Sequence, residues 1–184
     1  MTFSQDWFSR NIPNFEHIRP ILSGNENFLE VGSFEGRSTC WMLENLLGPK
    51  GSIWCIDSFK GGEEHSGLNL SHLRDTFEDN VQYSKKEFQT VHVREGMSYV
   101  RLAELIAQGF KFDFIYLDGN HMADEVMTDA CLCFKLLKVG GIMLFDDYGG
   151  GAEVKPAVDA FYQTHYKKAE ILLANYQVAI RRLR

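Results

Sequence analysis

The sequence predicts an α/β fold, a mostly parallel sheet flanked by helices. Three observations carry this. Short runs rich in branched and aromatic residues alternate with helical stretches along most of the chain. Two of those runs are almost wholly apolar, and the chain ends in two strand-like segments joined by a short turn. Alternation forces parallel pairing, because a crossover helix must return the chain to the same end of the sheet. Near-continuous apolar strands fit a sheet covered on both faces. The closing hairpin makes the last strand antiparallel to its partner.

Taken in order, "NFLEV" (Asn27–Val31) reads as the first strand, followed by a helix in "GRSTCWMLENLLG" that Gly48-Pro49 closes. "GSIWCID" is the second strand, "LSHLRDTFEDNV" a helix, and "FQTVHVREG" the third strand. "MSYVRLAELIAQG" is helical, and "FDFIYLDG" is the fourth strand. The next helix carries Met122, Val126, Ala130, Cys133, Phe134 and Leu137 at steps of three or four, which predicts one buried stripe. "GIMLFDD" is the fifth strand, "EVKPAVDAFYQTH" a helix with Pro156 near its start, and "AEILLA" and "QVAIRR" the hairpin. Residues 1–184 are expected to form one domain, with 1–26 as an N-terminal extension whose aromatic residues (Phe3, Trp7, Phe8, Phe15) either pack an extra helix on the core or form part of a substrate lid or a dimer contact.

The formal net charge of -6 argues against a nucleic-acid partner, which needs a basic stripe to neutralise phosphates. No apolar run is long enough for a membrane helix, and "MTFSQDWFSRNIPNF" lacks the pattern of a secretory leader. Cys40, Cys55, Cys131 and Cys133 lie in apolar segments without zinc-like spacing, so four buried thiols and a cytoplasmic setting are expected.

In an open parallel sheet, ligands bind beyond the carboxyl ends of the strands. The residues there are strongly acidic: Glu30 before the first bend, Asp57 after strand two, Asp118 after strand four, and Asp146-Asp147 after strand five. The bend "LEVGSFEG" has an acid before its first glycine, unlike a G-x-G-x-x-G phosphate loop. Two unit charges about 4 Å apart interact by roughly 4 kcal/mol at an effective dielectric of 20, so Glu30 there repels a pyrophosphate and attracts a cation. Asp57 is placed to accept hydrogen bonds from ribose hydroxyls. A ligand with a ribose, a positive centre and no phosphate is S-adenosylmethionine. Gly32 and Gly36 also fit a duller role, permitting tight strand-to-helix packing.

The segments "LEVGSFEGRST", "CIDSF", "REGMS", "DFIYLDGNH" and "LLKVGGIMLFDDY" resemble the successive motifs of class I S-adenosylmethionine-dependent methyltransferases. The likeness is closest to the small bacterial O-methyltransferase-like group marked by D-G-x-H and D-D-Y, which includes macrocin-type sugar O-methyltransferases. It implies a Rossmann-like three-layer sandwich with a seven-stranded, mostly parallel sheet and a reversed last strand. By that resemblance Glu30, Gly32 and Ser33 surround the methionine part of the cofactor, with Gly36 and Ser38 at the helix start. Asp57 holds the ribose, Ser58, Met97 and Ser98 border the adenine, and Asp118 also contacts the cofactor.

Asp118, Asp146 and Asp147 end two strands that should be neighbours, and carboxylates gathered so closely repel unless a positive group sits between them. Either they hold a divalent cation, with Mg2+, Mn2+ or Ca2+ suiting an oxygen-only set, or they form a metal-free acidic rim. Related metal-dependent enzymes place acids at matching positions, though Asp147 stands where relatives carry Asn. His121 is either the base that takes the acceptor's proton or a solvated polar residue. The glycine-rich "GGEEH" either closes over the substrate or is plain surface. The expected activity is methyl transfer to a hydroxyl of a small-molecule acceptor with divalent metal assistance, in a chain that could form a homo-oligomer. The rivals are metal-independent N- or O-methyl transfer and a non-catalytic S-adenosylmethionine-binding subunit; a nicotinamide oxidoreductase is disfavoured by Glu30.

Overall fold

The computed structural model describes residues 1–22, 26–62, 65 and 67–184. Its sheet has seven strands: β1 (Asn27–Val31), β2 (Ser52–Asp57), β3 (Thr90–Glu95), β4 (Phe112–Leu117), β5 (Leu137–Phe145), β6 (Ala169–Ala174) and β7 (Val178–Arg182). They lie in the order β3-β2-β1-β4-β5-β7-β6. All neighbouring pairs are parallel except β5–β7 and β6–β7, so β7 alone is reversed. This is the predicted sandwich.

Six α-helices cover the sheet: α1 (Ile12–Ile18), α2 (Arg37–Asn45), α3 (Leu73–Ser84), α4 (Ser98–Ala107), α5 (Ala123–Leu136) and α6 (Val154–His165). Strand side chains alternate between faces, which divides the core into two layers. Leu29, Val31, Ile115, Leu117, Met143 and Phe145 pack with the α4, α5 and α6 side. Phe28, Cys55, Phe114, Tyr116, Ile142 and Leu144 pack with α1, α2 and α3. The alternation places Glu30, like Phe28, on the α2 side of β1.

The predicted stripe of α5 holds in its middle, where Ala130, Cys133 and Phe134 are buried. Its ends differ. Met122 precedes the helix and is 50% exposed, because its extended backbone places it at the N-cap. Leu137 already belongs to β5, which opposite β4 skips register between its pairings with Phe112 and Phe114. The four thiols are free, and three of them are buried. Among the described residues no helix is long and apolar enough to cross a membrane.

In the N-terminal segment Phe8 and Phe15 are buried, whereas Trp7 is exposed. Phe15 is fully buried and meets Trp41, Phe114 and Tyr116 edge to face, at ring separations of 5.5, 6.0 and 5.1 Å. Deleting such a ring forfeits both its transfer energy and the contacts around the void. We expect Phe15→Ala to lower unfolding free energy in urea by about 3–5 kcal/mol; a change below about 1 kcal/mol would mean that the segment is not part of the core.

Candidate functional site

The sheet order reverses between β1 and β4, with β2 and β3 on one side and β5, β7 and β6 on the other. At that switch point a cavity of about 520 Å³ opens above the strand ends. Its floor forms where the loop after β1 crosses the tip of β4. Gly32 has φ +83°, and a Cβ there would lie 1.8 Å from the Asp118 carbonyl oxygen, so only glycine fits.

Asp57 organises the wall beside that loop. Its carboxylate accepts from the backbone N–H groups of Ser33 (2.7 Å), Phe34 (2.8 Å) and Phe59 (2.6 Å). Phe34 has φ 48°, a costly backbone for a bulky residue, and the first two of these bonds hold it there. Ser58, Gly96, Met97 and Ser98 continue the wall. A carboxylate has about four acceptor positions, so Asp57 keeps capacity for a hydroxyl in the cavity.

Glu30 corrects the sequence expectation. It is fully buried, does not line the cavity, and accepts hydrogen bonds from Ser33 Oγ (2.7 Å), Ser38 Oγ (2.5 Å) and Thr39 Oγ1. Burial pushes its carboxyl above the ordinary range, with the three hydroxyls opposing. It therefore anchors the bend and the first turn of α2 rather than facing a cation. The cause is the strand pleat: the last inward position of β1 faces α2, not the sheet edge. Gly36 likewise precedes α2 but does not line the cavity; its φ of +82° makes the turn, and a Cβ would lie 2.9 Å from the Phe77 ring. The remaining expected cofactor residues, Gly32, Ser33, Ser38, Asp57, Ser58, Met97, Ser98 and Asp118, all border the cavity.

The acids after β4 and β5 separate into two roles. Asp118, His121 and Asp147 can each offer one ligand atom, and these atoms lie within 4.8 Å of one another. His121 Nε2 is 3.0 Å from Asp147 Oδ2. Asp146 lines the cavity too, but its carboxylate is engaged by Asn11 Nδ2 (2.8 Å), the Tyr116 hydroxyl and the Asp147 N–H (2.7 Å). The convergent set thus contains an imidazole in place of Asp146, which corrects the expected all-carboxylate group. Burial and the charges of Asp146 and Asp147 push the Asp118 carboxyl well above the usual range. Asp147 goes the other way: burial opposes ionisation, yet the bonds from His121 and Tyr176 hold it below the usual range.

Several contributors carried no motif. The Tyr176 hydroxyl donates to Asp147 and receives a hydrogen bond from Arg10, whose guanidinium also lies 4.0 Å from the Tyr176 ring centre. Trp7, Phe34 and His65 form an aromatic wall, with Phe34 stacked on His65 at 4.7 Å. Gly61, Gly62 and His65 of the "GGEEH" stretch border the cavity, whereas Glu63 and Glu64 lie outside the described residues.

Sheet order, the single reversed strand and a cavity at the switch point define the Rossmann-like methyltransferase class of α/β domain. A family model described as a methyltransferase domain matches residues 29–148, and the chain belongs to that family. It is 28% identical over 140 residues to an uncharacterized protein of Acanthamoeba polyphaga mimivirus, covering 72% of this chain and 57% of that protein. The chain thus spans little more than half the length of this relative. Among solved structures it resembles the O-methyltransferase from Bacillus cereus in complex with SAH, with a TM-score of 0.71 at 17% identity, covering 98% of this chain and 84% of that one. It also resembles the O-methyltransferase TomG from Streptomyces achromogenes, involved in tomaymycin synthesis and solved with SAM. That match has a TM-score of 0.67 at 18% identity and covers 94% of this chain and 80% of that one.

Glu30 makes a checkable contribution to stability. Unfolded, it ionises near 4.5; folded, it keeps its proton to higher pH. Over that window the native state binds more protons, so this contribution to stability falls as pH rises. We expect Glu30→Gln to remove that loss, giving a shallower decline of urea-unfolding free energy above pH 4.5 than the wild type shows. Parallel pH profiles for the two proteins would mean that Glu30 ionises in the fold as it does in water.

Proposed function

We propose that the chain binds S-adenosylmethionine in this cavity and transfers its methyl group to a hydroxyl of a small-molecule acceptor, assisted by a divalent cation. The observation that carries the reading is the convergence of Asp118, His121 and Asp147 at the end of a cavity whose other wall is organised by Asp57. S-adenosylmethionine supplies an electrophilic methyl on a sulfonium. Asp57 accepts from the ribose hydroxyls while keeping the loop amides in place. Ser58, Met97 and Ser98 border the base, and Gly32 lets the backbone come close to the amino-acid part. The positive sulfonium favours the acidic end of the cavity.

The donor set fits a cation. Asp118, Asp147 and His121 would hold it, for one possible ligand atom of each lies within 4.8 Å of the others. The imidazole shifts preference from Mg2+ and Ca2+ toward Mn2+ and its neighbours. A divalent ion there supplies Lewis acidity to the acceptor hydroxyl. Asp147, whose carboxyl is held ionised by His121 and Tyr176, keeps negative charge at this end of the cavity, and Tyr176 and Arg10 orient it.

One observation favours a second reading. The 3.0 Å pair of His121 and Asp147 is the arrangement of an oriented general base, in which Asp147 fixes the imidazole and His121 takes the hydroxyl proton without metal. Assay against a panel of phenols and sugars separates the two. Under the leading reading, EDTA abolishes turnover, added Mn2+ or Mg2+ restores it, and Asp147→Ala loses that stimulation while S-adenosylhomocysteine still binds. Turnover that survives complete chelation and disappears in His121→Ala selects the metal-free base instead.

The cofactor assignment has its own test. We expect Asp57→Ala to weaken S-adenosylmethionine binding by about 1.5–3 kcal/mol in titration calorimetry. An unchanged affinity in a folded variant removes Asp57 from the site.

A further inference from the structure

Asp129 lies within α5, three residues after Val126 and four before Cys133, on the apolar stripe that packs against the sheet. Only 3% of it is exposed. A carboxylate at such a place is costly unless something uses it. Burial and the like charge of Glu125 oppose its ionised form, and Ser98 favours it. Its Oδ1 has no hydrogen-bond partner among the described residues. Burial pushes its carboxyl up to about 6.

The side chain borders a small space. A second cavity of about 20 Å³ is lined by Asp129 together with Asp118, Gly119, Asn120 and His121. That is room for one water, which needs roughly 10–15 Å³ and two or more polar partners. Asp129 Oδ2 itself lies 3.7 Å from where a Cβ on Gly119 would stand, so the carboxylate sits directly under the turn. On the other side, Ser98 opens α4 and borders the large cavity.

We propose that Asp129 is a positioning residue: through a water held in the small cavity it fixes the Gly119–His121 turn, and through Ser98 it ties that turn to the start of α4. The role rests on the methyl-transfer reading, because the turn carries Asp118 and His121 to the reacting end of the cavity. A displacement of about 1 Å in such groups can cost a hundredfold in rate, and residues that orient metal ligands typically change metal affinity 10–100-fold. Leucine has the same branching with methyl groups in place of the carboxylate oxygens and would not carry the cost of a buried acid.

The test uses the full chain carrying Asp129→Leu or Asp129→Asn. Amide hydrogen exchange at Gly119, Asn120 and His121 is followed without ligand, and Mn2+ affinity is titrated in the presence of S-adenosylhomocysteine. We expect Asp129→Leu to leave global stability unchanged or raised, to speed exchange of those three amides at least tenfold, and to weaken Mn2+ binding at least tenfold. Asp129→Asn, which can still bond a water, should recover most of the protection. Unchanged exchange at the turn in folded Asp129→Leu, or acceleration spread evenly over α5 and the core, overturns the proposal. Should Asp129→Leu fail to fold, wild-type exchange rates at the turn in Asp129→Ala, which can bond no water there, overturn it instead. A wild type that binds neither S-adenosylhomocysteine nor Mn2+ defeats the methyl-transfer reading, and the exchange rates still decide the role of Asp129.

Discussion

The close approach of Gly32 to Asp118 is the constraint on which the site depends. β1 and β4 are neighbours, yet the helices that follow them leave toward opposite faces of the sheet, α2 to one and α5 to the other. Their exits open a crevice, and the chain must cross its floor with no side chain in the way. Gly32 N–H reaches the Ile56 carbonyl while Asp118 N–H reaches that of Val31, both at strand-like distances of 2.9 and 2.8 Å. The sheet's hydrogen bonding therefore continues to the very lip of the cavity. Ser33, Phe34 and Asp118 inherit their positions from it, and their geometry is as rigid as the strands.

Around that lip, carboxylates divide the work according to what each can bond. Glu30 points into the helix layer and is satisfied by hydroxyls from the bend and from α2. Asp57 sits at the rim and collects backbone amides, which shapes the loop while leaving part of its acceptor capacity toward the cavity. Asp146 is turned inward by Tyr116 and Asn11, and Asp147, one residue later in the left-handed region, faces His121. Adjacent acids thus acquire different chemistry from a single change of backbone conformation.

This division explains how much was legible in the sequence. Runs rich in branched and aromatic residues, alternating with helical stretches, marked all seven strands, and β1 and β6 match their segments residue for residue. Element ends were less clear: Leu137 continues the three-four spacing of α5 although the backbone has already become extended. The cavity border was legible at Asp57, Ser58, Met97 and Ser98 because strand ends of a parallel sheet share one edge. Glu30 was misplaced because the argument counted its charge and not the pleat, which decides its direction. Arg10, Asn11 and Tyr176 gave no signal, for Arg10 and Asn11 meet Asp147 and Asp146 only once segments more than 130 residues apart have packed, and Tyr176 reaches Asp147 across 29 residues that include α6 and β6.

The same long-range contacts bind the N-terminal segment to the site energetically. Asn11 holds Asp146, Arg10 reaches Tyr176 and stands 3.5 Å from Asp147, and Asn14 bonds Asn175 and Gln177 across the β6–β7 turn. Of these residues Arg10, Asp146 and Asp147 border the cavity. A ligand that displaced Arg10 from Asp147 would remove one of these contacts, and by linkage any loosening of the segment would change the affinity for that ligand by the same factor. Trp7 rides on this segment and walls the cavity beside Phe34 and His65. The part of the wall that does not come from the sheet is therefore coupled to the chemistry at the strand ends, whereas the floor built by Gly32 and Asp118 is not free to respond.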